Sequence, residues 1–169
     1  MRTIISATAL LLLSACGSPS NTTATATGTE AAASLAVGKT GIANGVEIIV
    51  TSVKQTNQVM SAKLVPLAGP QETYVVVKYT IKNTGSAPLA AMSHPELDLA
   101  DPNGQVYSKD DMTTALVGAM QDAQGMASDI NPGITIKSAA VWKVVKQGFD
   151  LGTWKVVART DPALEFALK

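Results

Sequence analysis

Between Thr73 and Asn83 the chain alternates: Val75, Val77, Tyr79 and Ile81 fall on one side, Lys78, Thr80 and Lys82 on the other. Successive side chains of a strand leave opposite faces, so a two-residue period predicts an extended strand with one face buried. The pattern recurs along the chain, broken by turn dipeptides. Asn44-Gly45 precedes a segment to Val53 with Val46, Ile48 and Val50 on one face. Leu97 and Leu99 alternate with Glu96 and Asp98, and the turn Asp101-Pro102-Asn103-Gly104 leads into Val106 and Tyr107. Ile130-Asn131-Pro132-Gly133 launches a strand from Ile134 to Val145, with Ile134, Ile136, Ala140, Trp142 and Val144 on a common face. Two more strands are expected at Trp154 to Arg159 and Leu164 to Leu168. Short strands without regular intervening helices predict an all-β fold, an antiparallel sandwich of two sheets. All seven aromatic residues lie between Tyr74 and Phe166, which places the core there, with Trp142 as its expected centre.

One interval breaks the period. Met112, Ala115, Leu116, Ala119 and Met120 fall at i, i+3, i+4, i+7 and i+8, predicting one short helix near 112–120. Such a helix is expected to cap an open end of the sandwich and bury its Met side chains; the other reading makes it a Met-rich contact surface.

The first residues read as a targeting segment. Arg2 is a short positive region, and ten of residues 1–15 are apolar. The run is too short for about 30 Å of hydrocarbon but suits a signal h-region. It ends at Leu13-Ser14-Ala15-Cys16-Gly17, which resembles the bacterial lipobox. That resemblance implies cleavage between Ala15 and Cys16 and acylation of Cys16. Cys16 is the chain's one cysteine, so an intrachain disulfide is excluded and the residue stands where lipidation chemistry needs it. Several acyl chains would anchor the protein firmly, since each buried CH₂ contributes about 0.8 kcal/mol. Gly17 after the cysteine is the pattern associated with sorting to the outer membrane, facing the periplasm. Of the 20 residues from Gly17 to Ala36, 18 are Gly, Ser, Pro, Asn, Thr or Ala. Too little apolar area can be buried there to offset ordering entropy, so the stretch is expected to be a flexible tether. The organisation read this way is a lipoprotein signal peptide at 1–15, a lipidated Cys and tether at 16–36, and a β-sandwich domain at 37–169.

From Val37-Gly38-Lys39 through Val46 to Val53, then Tyr74 to Asn83, Leu97 to Gly104 and Asn131-Pro132-Gly133, the order of motifs resembles a family. It is a group of bacterial extracellular domains of unknown function, labelled telomeric-repeat-binding-factor-2-like, within the immunoprotective-extracellular, immunoglobulin-like superfamily. The resemblance implies an immunoglobulin-like sandwich on a lipoprotein or secreted chain and supplies no catalytic residues.

Chemistry is sparse. The sequence has no G-x-S-x-G elbow, P-loop, dinucleotide fingerprint or C-x-x-C pair, and no enzyme activity or cofactor is expected. Thirteen basic against thirteen acidic residues give no broad footprint for nucleic acid or an anionic surface. His94, the single histidine, reads as an exposed loop residue. A sharper reading joins it to Met92, with Met60, Met112, Met120 or Met126 completing a thioether-rich Cu(I) site. Asp98, Asp101, Asn103, Asp110 and Asp111 suggest either a Ca²⁺ site or an ordinary Asp/Asn-rich turn, the spacing failing the EF-hand pattern. The expected function is an envelope lipoprotein, held to the membrane by its N-terminal lipid, whose non-enzymatic domain binds an envelope protein or other envelope component. A periplasmic copper-binding protein using Met92 and His94 is the alternative.

Overall fold

The computed structural model describes residues 34–61, 63–65, 67–120 and 128–169. Their elements are β1 (Thr40–Ala43), β2 (Val46–Thr56), β3 (Glu72–Asn83), β4 (Leu97–Ala100), β5 (Val106–Tyr107), α1 (Asp111–Ala119), β6 (Thr135–Val145), β7 (Lys155–Ala158) and β8 (Leu164–Ala167). They build two four-stranded sheets, β1-β2-β3-β6 and β5-β4-β7-β8, with every neighbouring pair antiparallel. No described helix is long and apolar enough to cross a membrane. The strands follow the alternation closely. β1 goes beyond it: four residues with Gly41 among them are too short and too glycine-weakened to show a period. Asn44 and Gly45 close the β1–β2 hairpin with φ of 47° and 72°, the pair of left-handed residues that a two-residue type I′ turn needs.

The inner faces meet in one apolar layer. The first sheet supplies Ile48, Val50, Val75, Val77, Tyr79, Ile81, Ala140, Trp142 and Val144, and the second Leu97, Leu99, Val156, Ala158 and Phe166. Trp142 and Phe166 are its largest fully buried side chains. The Trp142 indole Nε1 donates to the Tyr107 carbonyl at 3.0 Å, so the polar edge of the ring is satisfied and β6 is joined to β5 across the layer. Trp154 packs against Tyr107 and Phe149 with ring centroids 4.8 and 5.0 Å away, extending the aromatic content of the core. At Gly41 a Cβ would stand 2.9–3.0 Å from side-chain atoms of Leu35, Leu164 and Phe166, so only glycine lets β1 approach the second sheet this closely. Among the described residues the first pairing is at Leu35, which forms a parallel bridge to Phe166 of β8.

The helix forms over the expected residues but turns a different face inward. Thr113 and Val117 are its buried residues, whereas Met112 and Met120 are 74% and 70% exposed. It does not cap an end of the sandwich; it packs on β6, in a second cluster containing Val65, Tyr74, Val76, Val117, Ala139 and Val141. The reason is polar. Asp110 caps the helix by accepting from the Thr113 N–H at 2.9 Å, while its own N–H donates to the Val141 carbonyl at 2.7 Å. The Thr114 hydroxyl accepts the Val141 N–H at 3.0 Å. These bonds clamp the first turn to the free edge of β6 and fix the helix's rotation, which leaves Met112, Ala115, Ala119 and Met120 of the stripe exposed and only Leu116 partly buried.

Candidate functional site

Ala15 and Cys16, the expected cleavage and lipidation residues, lie outside the described residues, as does Met126. Met92 and His94 do line one small pocket of about 200 Å³, together with Tyr79, Pro95, Glu96 and Lys109. Met92 is 98% exposed on a 3₁₀ turn spanning Ala91–Ser93. His94 is not the exposed loop histidine that the sequence suggests: both ring nitrogens are shielded and have no hydrogen-bonding partner among the described residues. The reason lies in the turn. Asp129 accepts the Ala91 N–H at 3.0 Å, Leu89 bridges Ile130, and the buried Pro95 follows, so this loop folds back onto the β3 side of the domain. The other thioethers do not converge there. Met60 packs in the cluster beneath α1, and Met112 and Met120 stand exposed on or just beyond that helix. Among the described residues no three of His, Cys, Asp and Glu are grouped to hold a metal ion.

The Tyr79 phenol, also on this pocket, sits in the core. Burial pushes its pKa above the ordinary 10.0, a hydrogen bond with Ser138 lowers it, and the nearby Glu96 carboxylate raises it. Because the folded protein holds the proton more tightly than the unfolded chain, the contribution is complete below pH 10.0 and is lost as pH rises through the folded value. Tyr79→Phe is therefore expected to cost about 1 kcal/mol at neutral pH, the net worth of a hydrogen bond, and to flatten the alkaline loss. Urea midpoints at pH 7 and pH 11 check this; an alkaline loss as steep in the variant as in the wild type contradicts it.

The acidic residues separate into three structural roles. Asp101 accepts the Asn103 and Gln105 N–H groups at 2.9 and 2.8 Å, which makes it a turn former, and Asp110 caps α1. Asp98 is held by Arg159, from Nε at 2.6 Å and Nη2 at 2.8 Å. They form no common site. The turn reading accounts for Asp101 and Asn103; Asp110 and Asp98 serve a helix cap and an ion pair instead.

The two outer faces of the sandwich differ sharply in charge. On the second sheet Lys155 pairs with Glu165 at 2.8 Å, Arg159 with Asp98 and Glu96, and Lys109 with Glu96 at 3.2 Å. The Asp98 hydrogen bond and charge hold the Arg159 guanidinium further toward its protonated form. The first sheet is different. α1 and the side chains of Val59, Met60, Val65 and Ala68 cover the end of it that carries Tyr74 and Val76, and among the described residues this cluster does not extend over the other end. Across that other end, Thr40, Ile49, Thr80 and Lys137 form one row of paired residues and Ile42, Glu47, Lys82 and Thr135 the next. Lys78 stands one step further along β3, beside a bulge in β2 between Val50 and Ser52. The bulged Thr51 turns its hydroxyl to donate to the Lys78 carbonyl at 3.0 Å. A groove of about 470 Å³ opens here, lined by Thr51, Lys78, Thr80, Met120, Lys137 and Ser138. Among the described residues Lys54, Lys78, Lys82 and Lys137 form no ion pair, and only Glu47 and Glu72 oppose them on this face; Lys143 lies 3.9 Å from Glu72. The balanced net charge conceals this segregation. Lys78, Thr80 and Lys82 are visible in the sequence as an outward row, but only the β3–β6 register brings Lys137 beside them.

Known proteins share this architecture. A family model described as Domain of unknown function (DUF4352) matches residues 35–148. The uncharacterized protein YxkC of Bacillus subtilis is 30% identical over 127 residues, 74% of this chain and 71% of that one. A conserved hypothetical protein from Bacillus anthracis, known from a 2.2 Å crystal structure, superposes with a TM-score of 0.66 at 22% identity, covering 78% of this chain and 94% of its own. An uncharacterized β-sandwich protein from Clostridium difficile gives 0.52 at 14% identity, over 80% and 95% of the two chains. At these identities the structural likeness establishes the fold.

Proposed function

This chain belongs to the Domain of unknown function (DUF4352) family, and we propose that it is a lipid-anchored envelope protein whose immunoglobulin-like sandwich is a non-enzymatic binding module. The reading of the domain as one of the immunoprotective-extracellular superfamily is part of this proposal. The single observation that supports binding is the contrast between the outer faces: one carries its charges in ion pairs, and the other presents unpaired lysines around an open groove. A charged side chain left without a partner on a half-covered sheet is available to a ligand. Anchoring is supported by Leu13-Ser14-Ala15-Cys16 and by the tether composition that follows. In a host with two membranes, Gly17 after the cysteine favours the outer membrane. The Met92–His94 copper alternative gains no support from the geometry.

Cys16→Ala is expected to abolish incorporation of labelled palmitate and to move the protein from the membrane pellet to the soluble fraction or to an uncleaved precursor. Unchanged labelling in the variant removes the anchor from this reading.

A further inference from the structure

Resting on the anchored reading, we propose that the lysine-lined outer face of the first sheet docks on anionic phospholipid headgroups of the same membrane.

The face has the composition of an interfacial surface. Lys78 and Lys137 line the groove, Lys82 stands one row beyond it on β3, and Lys54 lies further along β2. Apolar side chains stand among them: Met120 is 70% exposed and Ile42 61%. Thr51 and Thr80 line or flank the groove, so hydroxyls stand beside the ammonium groups. Lysine ammoniums near a negatively charged bilayer gain affinity additively, roughly fivefold each, and long stems let the charges reach headgroup phosphates while apolar neighbours approach the acyl boundary. Among the described residues Glu47 and Glu72 are the carboxylates on this face, and they are outnumbered by Lys54, Lys78, Lys82, Lys137 and Lys143. The second sheet lacks this excess, because its cations are already matched.

Tethering strengthens in the envelope a contact that the patch also makes, more weakly, from free solution. Twenty residues of tether reach roughly 25 Å on average, so the domain stays close to the bilayer. Docking then competes against an effective concentration near the millimolar range rather than against free diffusion. The chain enters the domain at Leu35 beside β8 and is bonded to β2 through the Gly38 N–H, which donates to the Val50 carbonyl at 2.8 Å. The entry therefore lies at the β8 edge of the second sheet, and the chain passes from there within three residues to β2 of the sheet whose face would dock.

The test uses the chain from Gly17 onward, which lacks the acyl site and keeps every described contact, since the first is made at Ser34. Co-sedimentation with vesicles of phosphatidylcholine containing 30% phosphatidylglycerol is compared with phosphatidylcholine alone. Binding is expected to the anionic vesicles, to weaken steeply between 50 and 500 mM salt, and to fall about 100-fold in Lys78→Gln/Lys82→Gln/Lys137→Gln. The triple variant should melt like the wild type, and the matched set Lys109→Gln/Lys155→Gln/Lys169→Gln should bind like it. Equal binding to both vesicle types, or equal weakening by the two triple sets, overturns the proposal. So does complete displacement by millimolar glycerol phosphate, which would make the groove a site for a soluble phosphate instead. Because no acyl chain is present, a failure here leaves the anchor standing, and a failure of palmitate labelling leaves this result readable.

Discussion

Trp142→Ala will destabilise the domain by about 3–5 kcal/mol, the largest loss expected from any single truncation in this core. The indole is fully buried between the sheets and is the largest side chain there. Its removal leaves a cavity that two hydrogen-bonded sheets cannot close by shifting, since each strand is held in register by its neighbours. The substitution also removes the indole N–H that donates to the Tyr107 carbonyl, adding the loss of a buried hydrogen bond to the cavity. Trp142→Phe separates the two effects: it keeps most of the volume and loses only the hydrogen bond, so it should cost roughly half as much or less. Urea unfolding of both variants, with the slope of the transition unchanged, measures the difference. A loss below about 1 kcal/mol for Trp142→Ala would mean that Trp142 is not the centre of the layer.

Asn83 is the second position where a large effect is expected, and it is polar. At the end of β3 it is 2% exposed. Its Nδ2 donates to the carbonyls of Ala87 and Ile130 at 2.8 and 2.7 Å, and its Oδ1 accepts the Gly85 N–H at 2.9 Å. One amide therefore joins the strand end, the turn after it and the loop before β6. Asn83→Ala leaves the Ala87 carbonyl and the Gly85 N–H without their partner and takes from the Ile130 carbonyl one of its two donors, the Leu89 N–H remaining, and should cost about 2–4 kcal/mol. Asn83→Asp keeps the shape but sets a carboxylate against two carbonyl oxygens. Its pKa should rise, because only the protonated acid can donate, so the Asp variant should regain stability as pH falls toward 5. Thermal melts of the three proteins at pH 5 and pH 8 test this; a pH-independent loss in Asn83→Asp would show that the amide protons are not what matters.

The strands were legible because burial of one face leaves its two-residue period in the sequence. Trp142 was legible for a related reason, as an aromatic on the inward phase of a strand. Ile134 was not. It shares that phase but is 52% exposed, because Gly133, at φ 78°, is still turning and β6 begins only at Thr135. The rotation of α1 was illegible too. It is set by bonds from Asp110 and Thr114 to Val141, about 27 residues away, and a helical stripe reports only the chain's own neighbours. The lysine face was hidden for a third reason. Equal numbers of acids and bases describe the whole chain, whereas recognition depends on which strands stand side by side. His94 belongs with these cases: a histidine before a proline reads as exposed loop, and only the packing of its turn shields the ring.

The entry of the chain into the fold has a mechanical consequence. The Leu35 N–H donates to the Glu165 carbonyl and the Ala167 N–H returns to the Leu35 carbonyl, both at 2.8 Å, while Gly38 is bonded to β2. The parallel bridge lays this short segment alongside β8, so a pull arriving from its N-terminal side runs along the strand. The bonds to β8 then share the load in shear instead of opening one after another. Gly41, by admitting the Leu35, Leu164 and Phe166 side chains against β1, adds packed surface to the same joint. A domain that grips another surface while leashed at this end would transmit the tension into both of its sheets at once.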